Sequence, residues 1–150
     1  MNIRNMLAYV VCAVALAGIF CGCGASSSGM KDGYYTAEMA DYSNGWKEFV
    51  TIHVEGNTII SVEYNAKNPS GFIKSWDMAY MRRMNAARGT YPNHYTRAYA
   101  RQVVEKQSGE AIDMVAGASS SGGNFRQMVA AALDMAHQGK NEVAIVQPQG

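Results

Sequence analysis

An apolar stripe in the last third of the chain constrains its fold more than any other feature. Phe125, Met128, Val129, Ala132, Leu133 and Ala136 recur at i, i+3, i+4, i+7, i+8 and i+11, the spacing of one face of an α-helix. Gly139 supplies the stop signal. A helix of this kind is held by burying its apolar face against other elements. Directly ahead of it stands Asp113-Met114-Val115-Ala116-Gly117-Ala118-Ser119-Ser120-Ser121, a small-residue loop that ends in three consecutive hydroxyls. A helix N-terminus offers unpaired N–H groups and the positive end of a dipole, which suit a phosphate. Small residues let the backbone approach such a group closely. A capped loop with no ligand is the competing reading of the same residues.

The elements before this helix read as strands first, then helices. Gly33 to Met39 is a strand, with Tyr34, Tyr35 and Thr36 in it. Lys47 to Val54 alternates, with Val50, Ile52 and Val54 on one face and Phe49, Thr51 and His53 on the other. Gly56-Asn57 marks a turn, and Thr58 to Tyr64 completes an antiparallel hairpin. Asn65 to Gly71 reads as a loop. A first helix is expected with Ser75 as cap, Asp77 in its first turn and Gly89 beyond its end. A second opens on Pro92 and runs towards Gln107. Ala111 to Val115 is expected as a short strand, and Glu142 to Val146 as a closing one. This order predicts one small α+β domain, with an N-terminal antiparallel hairpin followed by helices, rather than a doubly wound sheet.

The start of the chain sets the compartment. Arg4 is the only charge before Lys31, and Met6 to Cys21 is a near-continuous apolar run. Small residues follow, Gly22-Cys23-Gly24-Ala25, then Ser26-Ser27-Ser28-Gly29. This is the layout of a signal peptide. An uncleaved membrane anchor is the alternative, since about 20 apolar residues span a bilayer. The segment resembles a bacterial lipoprotein signal, with Cys23 as the acylated residue after Gly22; bulky Phe20 before Cys21 disfavours that cysteine. The expected organisation is a lipoprotein signal peptide over 1–23, a flexible linker over 24–31 and a domain over 32–147, lipid-anchored on the extracytoplasmic side of the cell membrane. All three cysteines, Cys12, Cys21 and Cys23, fall in the signal region, so the domain folds without a disulfide. A formal charge of +1 gives no electrostatic argument for nucleic acid. His53, His94 and His137 show no metal-ligand spacing, and no metal is expected. No nucleophile-plus-base pair marks a stand-alone hydrolase.

The hydroxyl loop resembles the flavinylation motif of the FMN-binding domain family, an Asp, two variable residues, Ser/Thr, Gly, Ala, then Thr. Asp32-Gly33-Tyr34-Tyr35 looks like the entry strand of small FMN-binding lipoproteins, and Gly45-Trp46-Lys47-Glu48-Phe49-Val50 like their Gly-Trp-Lys strand. Lys74-Ser75-x-Asp77-x-x-Tyr80-x-x-x-Met84, then Gly89, and Gln107 ahead of Asp113 follow the same order. The resemblance covers nearly the whole domain, and extends to the soluble flavin-bearing domain of sodium-pumping quinone reductase subunits. It implies a flavoprotein in electron transport, more an electron carrier than an enzyme. FMN would be attached through a phosphoester to Ser119 by a flavin transferase, with a membrane redox partner. Two positions depart from the motif: Ser119 stands where Thr is usual, and Ala116 where Ser or Thr is usual. They keep open a non-covalent reading, in which flavin or another ligand is simply held, and a non-redox interaction lipoprotein that keeps only the fold. On the covalent reading Asp113 contacts the transferase, Gly117, Ala118, Ser120 and Ser121 surround the acceptor, and Trp46, Tyr80 and Met84 border the flavin. Core packing is the competing role for these last three.

Overall fold

The computed structural model describes residues 29–148. The signal peptide expected over 1–23, with Cys23, and linker residues 24–28 lie outside the described residues. The linker's last residues are already docked: Met30 N–H donates to Asn57 Oδ1 at 2.7 Å, and Lys31 N–H to the Ala136 carbonyl at 2.9 Å.

Alternation builds the sheet. Strands β1 (Gly33–Met39), β2 (Lys47–Glu55) and β3 (Thr58–Lys67) pair antiparallel, and β4 (Ala144–Val146) adds parallel to β1, giving the order β3-β2-β1-β4. On β2 the even positions Val50, Ile52 and Val54 are fully buried, as the alternation predicts, and they meet Ala37 and Tyr35 of β1 and Tyr64 and Val62 of β3 across the ladder. Gly56 and Asn57 both take positive φ (56° and 61°), the backbone of a type I′ hairpin turn.

The helices cover this apolar face. Helix α1 spans Met78–Arg88, α2 Pro92–Lys106 and α3 Ser119–Gln138. Helix α3 lies over β1 and β2, and α2 over β3. Five of the six stripe residues of α3 are fully buried, and Leu133 packs at the edge. Burying Phe125, Met128 or Val129 stabilises by roughly 1.5–3 kcal/mol each relative to exposure, and the two alanines by less. The single α+β domain is as the element order predicts.

Four local expectations change. Strand β3 runs three residues past Tyr64, because Lys67 still pairs with Lys47. Ser75 is not a helix cap: it sits in a 3₁₀ turn, Lys74–Trp76, where its hydroxyl accepts from Asn65 Nδ2. Asp77 caps α1 instead, accepting from the Tyr80 N–H at 2.8 Å. Ala111 to Val115 forms no strand, since α2 side chains satisfy its backbone. Gln102 exchanges two hydrogen bonds with Asp113, and the Tyr99 hydroxyl accepts from Val115 N–H. Finally, the three serines do not precede the last helix; they are its first turn, with Ala118 as N-cap.

Candidate functional site

Helix α3 opens on a cleft of about 480 Å³, within the range of small-molecule and cofactor sites. Ala118 offers no side-chain cap, and the first bond within the helix runs from Gly122 N–H to the Ala118 carbonyl. The N–H groups of Ser119, Ser120 and Ser121 thus have no acceptor within their helix. The segment leading into this turn is held by two buried tyrosines. The Tyr99 hydroxyl accepts from Val115 N–H and donates to the Ala118 carbonyl, both at 3.0 Å. The Tyr64 hydroxyl lies 3.0 Å from the Ser121 carbonyl and 2.8 Å from Glu48 Oε1. Gly117 turns the chain at φ +79°, against the end of α1.

Across the cleft stand Trp46, from the turn before β2, and Tyr80 and Met84, one turn apart on α1. The Trp46 and Tyr80 rings meet edge-on at 6.0 Å. Between them lies Lys74, a buried cation whose Nζ is 4.9 Å from the Tyr80 ring centre and 5.9 Å from that of Trp46. No carboxylate of the described residues pairs with it. Arg88 adds a second cation to the wall. The opposite charge is Glu48, which accepts from Tyr64 and, through Oε2, from Asn124 Nδ2 at 2.7 Å. The donor set is an open helix N-terminus, two cations and two rings. It suits an anionic group joined to an aromatic one.

Eight of the nine residues singled out from the sequence line this cleft: Trp46, Tyr80, Met84, Gly117, Ala118, Ser119, Ser120 and Ser121. Asp113 does not. Its carboxylate is exposed on the outer side of the loop and accepts from Lys106 at 3.1 Å. Glu48, Lys74 and Asn124 also line the cleft but were given no role there, although Glu48 and Lys74 stand in the segments that carry the family resemblance. Glu48 was legible, because the alternation of β2 puts position 48 on the face of Val50, Ile52 and Val54. The burial of Lys74 against two rings from other segments left no local signal. A second hollow of about 490 Å³, between β3 and α2, holds none of the expected residues, so size alone does not mark the site. A smaller one of about 250 Å³ continues the main cleft past Trp46 and Glu48 towards Tyr42. Among the described residues no cluster has the makeup of a metal site.

Burial, and then the Glu48 carboxylate, raises the phenol pKa of Tyr64 and Tyr95 well above the ordinary value of 10. Both stay protonated in the fold but ionise near 10 once unfolded. Their contribution is therefore fully present below pH 10 and lost as pH rises above it. Urea unfolding at alkaline pH checks this: stability is expected to fall above about pH 10, and less steeply in Tyr64→Phe. An unchanged slope would remove Tyr64 from the account.

Together these features define a class: a small α+β domain whose longest helix opens on an aromatic, cationic cleft. No protein-family profile matches the chain. The chain is 34% identical over 134 residues to the 15 kDa lipoprotein of Treponema pallidum (strain Nichols), covering 89% of this chain and 94% of the relative. It belongs to the family of that small lipoprotein. Among solved structures, the CPE2226 protein of Clostridium perfringens has the same fold, with a TM-score of 0.76 and 32% identity over 80% of this chain and 99% of that one. Among the described residues no helix is long and apolar enough to cross a membrane.

Proposed function

We propose that this protein is a lipid-anchored, extracytoplasmic electron carrier, with FMN joined through a phosphoester to Ser119 and the anchor on Cys23. The observation that carries the reading is the position of Ser119. Its hydroxyl belongs to the first turn of α3, on a cleft that also holds Lys74, Trp46 and Tyr80. The lipoprotein relative and the Gly22-Cys23 signal support the anchor.

In the attachment reaction the Ser119 Oγ forms a bond to the flavin-side phosphorus of FAD. The P–O–P bridge breaks, AMP leaves, and the hydroxyl proton passes to a base on the transferase. A seryl hydroxyl is a weak nucleophile, and no base stands among the residues of α3's first turn, so activation belongs to the transferase. Asp113 lies outside the cleft and pairs with Lys106, and on this reading it meets the transferase rather than the ligand. The bound flavin supplies the redox chemistry, while the protein positions and retains it. The helix N-terminus and Lys74 favour the phosphate end, and the rings of Trp46 and Tyr80 give flat apolar surface for the ring system.

Mass spectrometry under denaturing conditions tests this on the full chain, co-expressed with a flavin transferase beside a Ser119→Ala control. The parent is expected to gain the mass of FMN and the control none. No gain in the parent, with the transferase active on another substrate, overturns the ester and leaves non-covalent binding or a non-redox role. A gain that persists in the control moves the acceptor to Ser120 or Ser121.

A further inference from the structure

Among the described residues two charged side chains are buried, Glu48 and Lys74, each 9% exposed, and both line the cleft. They are not paired with each other. The ion pairs of the described residues join Glu38 to Lys47 and Lys67, Arg101 to Glu105, and Lys106 to Asp113. Neutral groups hold the two buried charges instead. Glu48 Oε1 lies 2.8 Å from the Tyr64 hydroxyl, and Oε2 accepts from Asn124 Nδ2 at 2.7 Å. Lys74 Nζ rests only against the rings of Tyr80 and Trp46. Taking a charge out of water is costly, and a buried charge is ordinarily paired. The fold does not ask for either one. Glu48 shares the inner face of β2 with Val50, Ile52 and Val54, where an apolar side chain would pack. Arg88, the other cation of the wall, is exposed, so water and salt screen it.

We propose that Lys74 and Glu48 set the charge preference of the cleft in opposite directions: Lys74 tightens the hold on a flat aromatic occupant as that occupant becomes more negative, and Glu48 loosens it. A buried charge acts through a medium that screens it far less than water does, so its field reaches across the cleft. The open N–H groups of α3's first turn side with Lys74, and the cleft therefore favours an aromatic anion over its neutral counterpart. The redox consequence rests on the proposed function. Two electrons from the redox partner and one proton leave a flavin richer by one negative charge. A wall that holds the extra charge more tightly raises the reduction potential, and a wall that repels it lowers the potential. Lys74 thus raises the potential and Glu48 lowers it.

Two measurements test this on the full chain. The flavin-loaded protein is titrated against redox dyes of known potential. Lys74→Met keeps the stem and loses the charge. It is expected to lower the potential by about 30 mV, the two-electron equivalent of a tenfold weaker preference for the reduced state. Glu48→Gln can still accept from Tyr64, and is expected to raise the potential by a similar amount. Lys74→Arg is expected to stay near the parent, and Arg88→Met to shift less than Lys74→Met. Opposite signs are the mark of charge, because a disturbed fold does not reverse direction between the two variants. The second measurement needs no flavin. The unloaded Ser119→Ala chain is titrated with naphthalene-2-carboxylate and with its neutral carboxamide, followed by NMR. It is expected to prefer the carboxylate. Adding Lys74→Met is expected to weaken that preference about tenfold, and adding Glu48→Gln to strengthen it. Equal preference in all three chains, no binding of either compound, or potential shifts of one sign would overturn the proposal. Should the parent gain no FMN mass while the naphthalene pair follows these signs, the flavin reading falls and the charge preference stands.

Discussion

Gly117→Ala is expected to destabilise the protein by about 2–5 kcal/mol, from left-handed backbone strain and overpacking together. At φ +79° a side chain is disfavoured whatever the space. Here the space is also absent. A Cβ would stand 2.4 Å from the Arg88 carbonyl oxygen and 3.1 Å from both Arg88 Cβ and Thr90 Cγ2. The nearest clash is with backbone at the end of α1, so no rotamer change relieves it. Relief requires the loop to lift from α1, which pulls Ser119 away from Tyr80 and Met84 and opens the cleft. Gly123→Ala is the matched control. It lies six residues on, inside α3, with nothing within 4 Å of an added Cβ. There alanine is expected to stabilise by about 0.5–1 kcal/mol through helix propensity. Urea unfolding of the two variants beside the parent reads both signs. A Gly117→Ala protein within about 0.5 kcal/mol of the parent would contradict the packing of this loop on α1.

Tyr99→Phe is the second large effect. One hydroxyl bonds Val115 N–H and the Ala118 carbonyl, bracketing the turn that leads into Ser119. Removing it keeps the ring packed against Phe125, whose centre is 5.6 Å away, but strands the Val115 N–H. Ala118 keeps its bond from Gly122 N–H. A cost of about 1–3 kcal/mol is expected, the penalty for a partly buried donor left unpaired. The consequence for function is separable from stability. On the proposed reading, flavin loading of Tyr99→Phe should be slower even at low temperature, where the fold is intact. A conservative core variant of equal stability loss, such as Val129→Ala, should load at the parental rate. Equal loading in Tyr99→Phe and parent would show that this hydroxyl holds the fold without positioning Ser119.

The chain illustrates where sequence reasoning is strong. The hairpin, the three helices and the buried face of α3 follow from periodicity and turn chemistry. These are local: the alternation of Val50, Ile52 and Val54, positive φ at Gly56 and Asn57, and the glycine at position 89 that ends α1 in the left-handed conformation. The failures are equally local in appearance but not in cause. Ala111 to Val115 has no strand partner because side chains of α2 reach it first. Ser75 and Asp77 are both good caps by type. The bond from Asn65, ten residues earlier, draws Ser75 into the 3₁₀ turn and leaves Asp77 to cap the helix.

The sequence by itself determined the class of fold, the apolar faces and the run of small and hydroxyl residues at the opening of the last helix. Each is written in neighbours three or four positions apart, where propensity and spacing act. Only the tertiary structure decided that the serines are the helix's own first turn rather than a loop before it. It likewise brought Trp46, Lys74, Tyr80 and Ser119, separated by up to 73 positions, around one cleft. It also turned Asp113 outwards, to Lys106. Those outcomes depend on which buried hydroxyl or amide satisfies which backbone group, and that competition is settled only once the layers have packed.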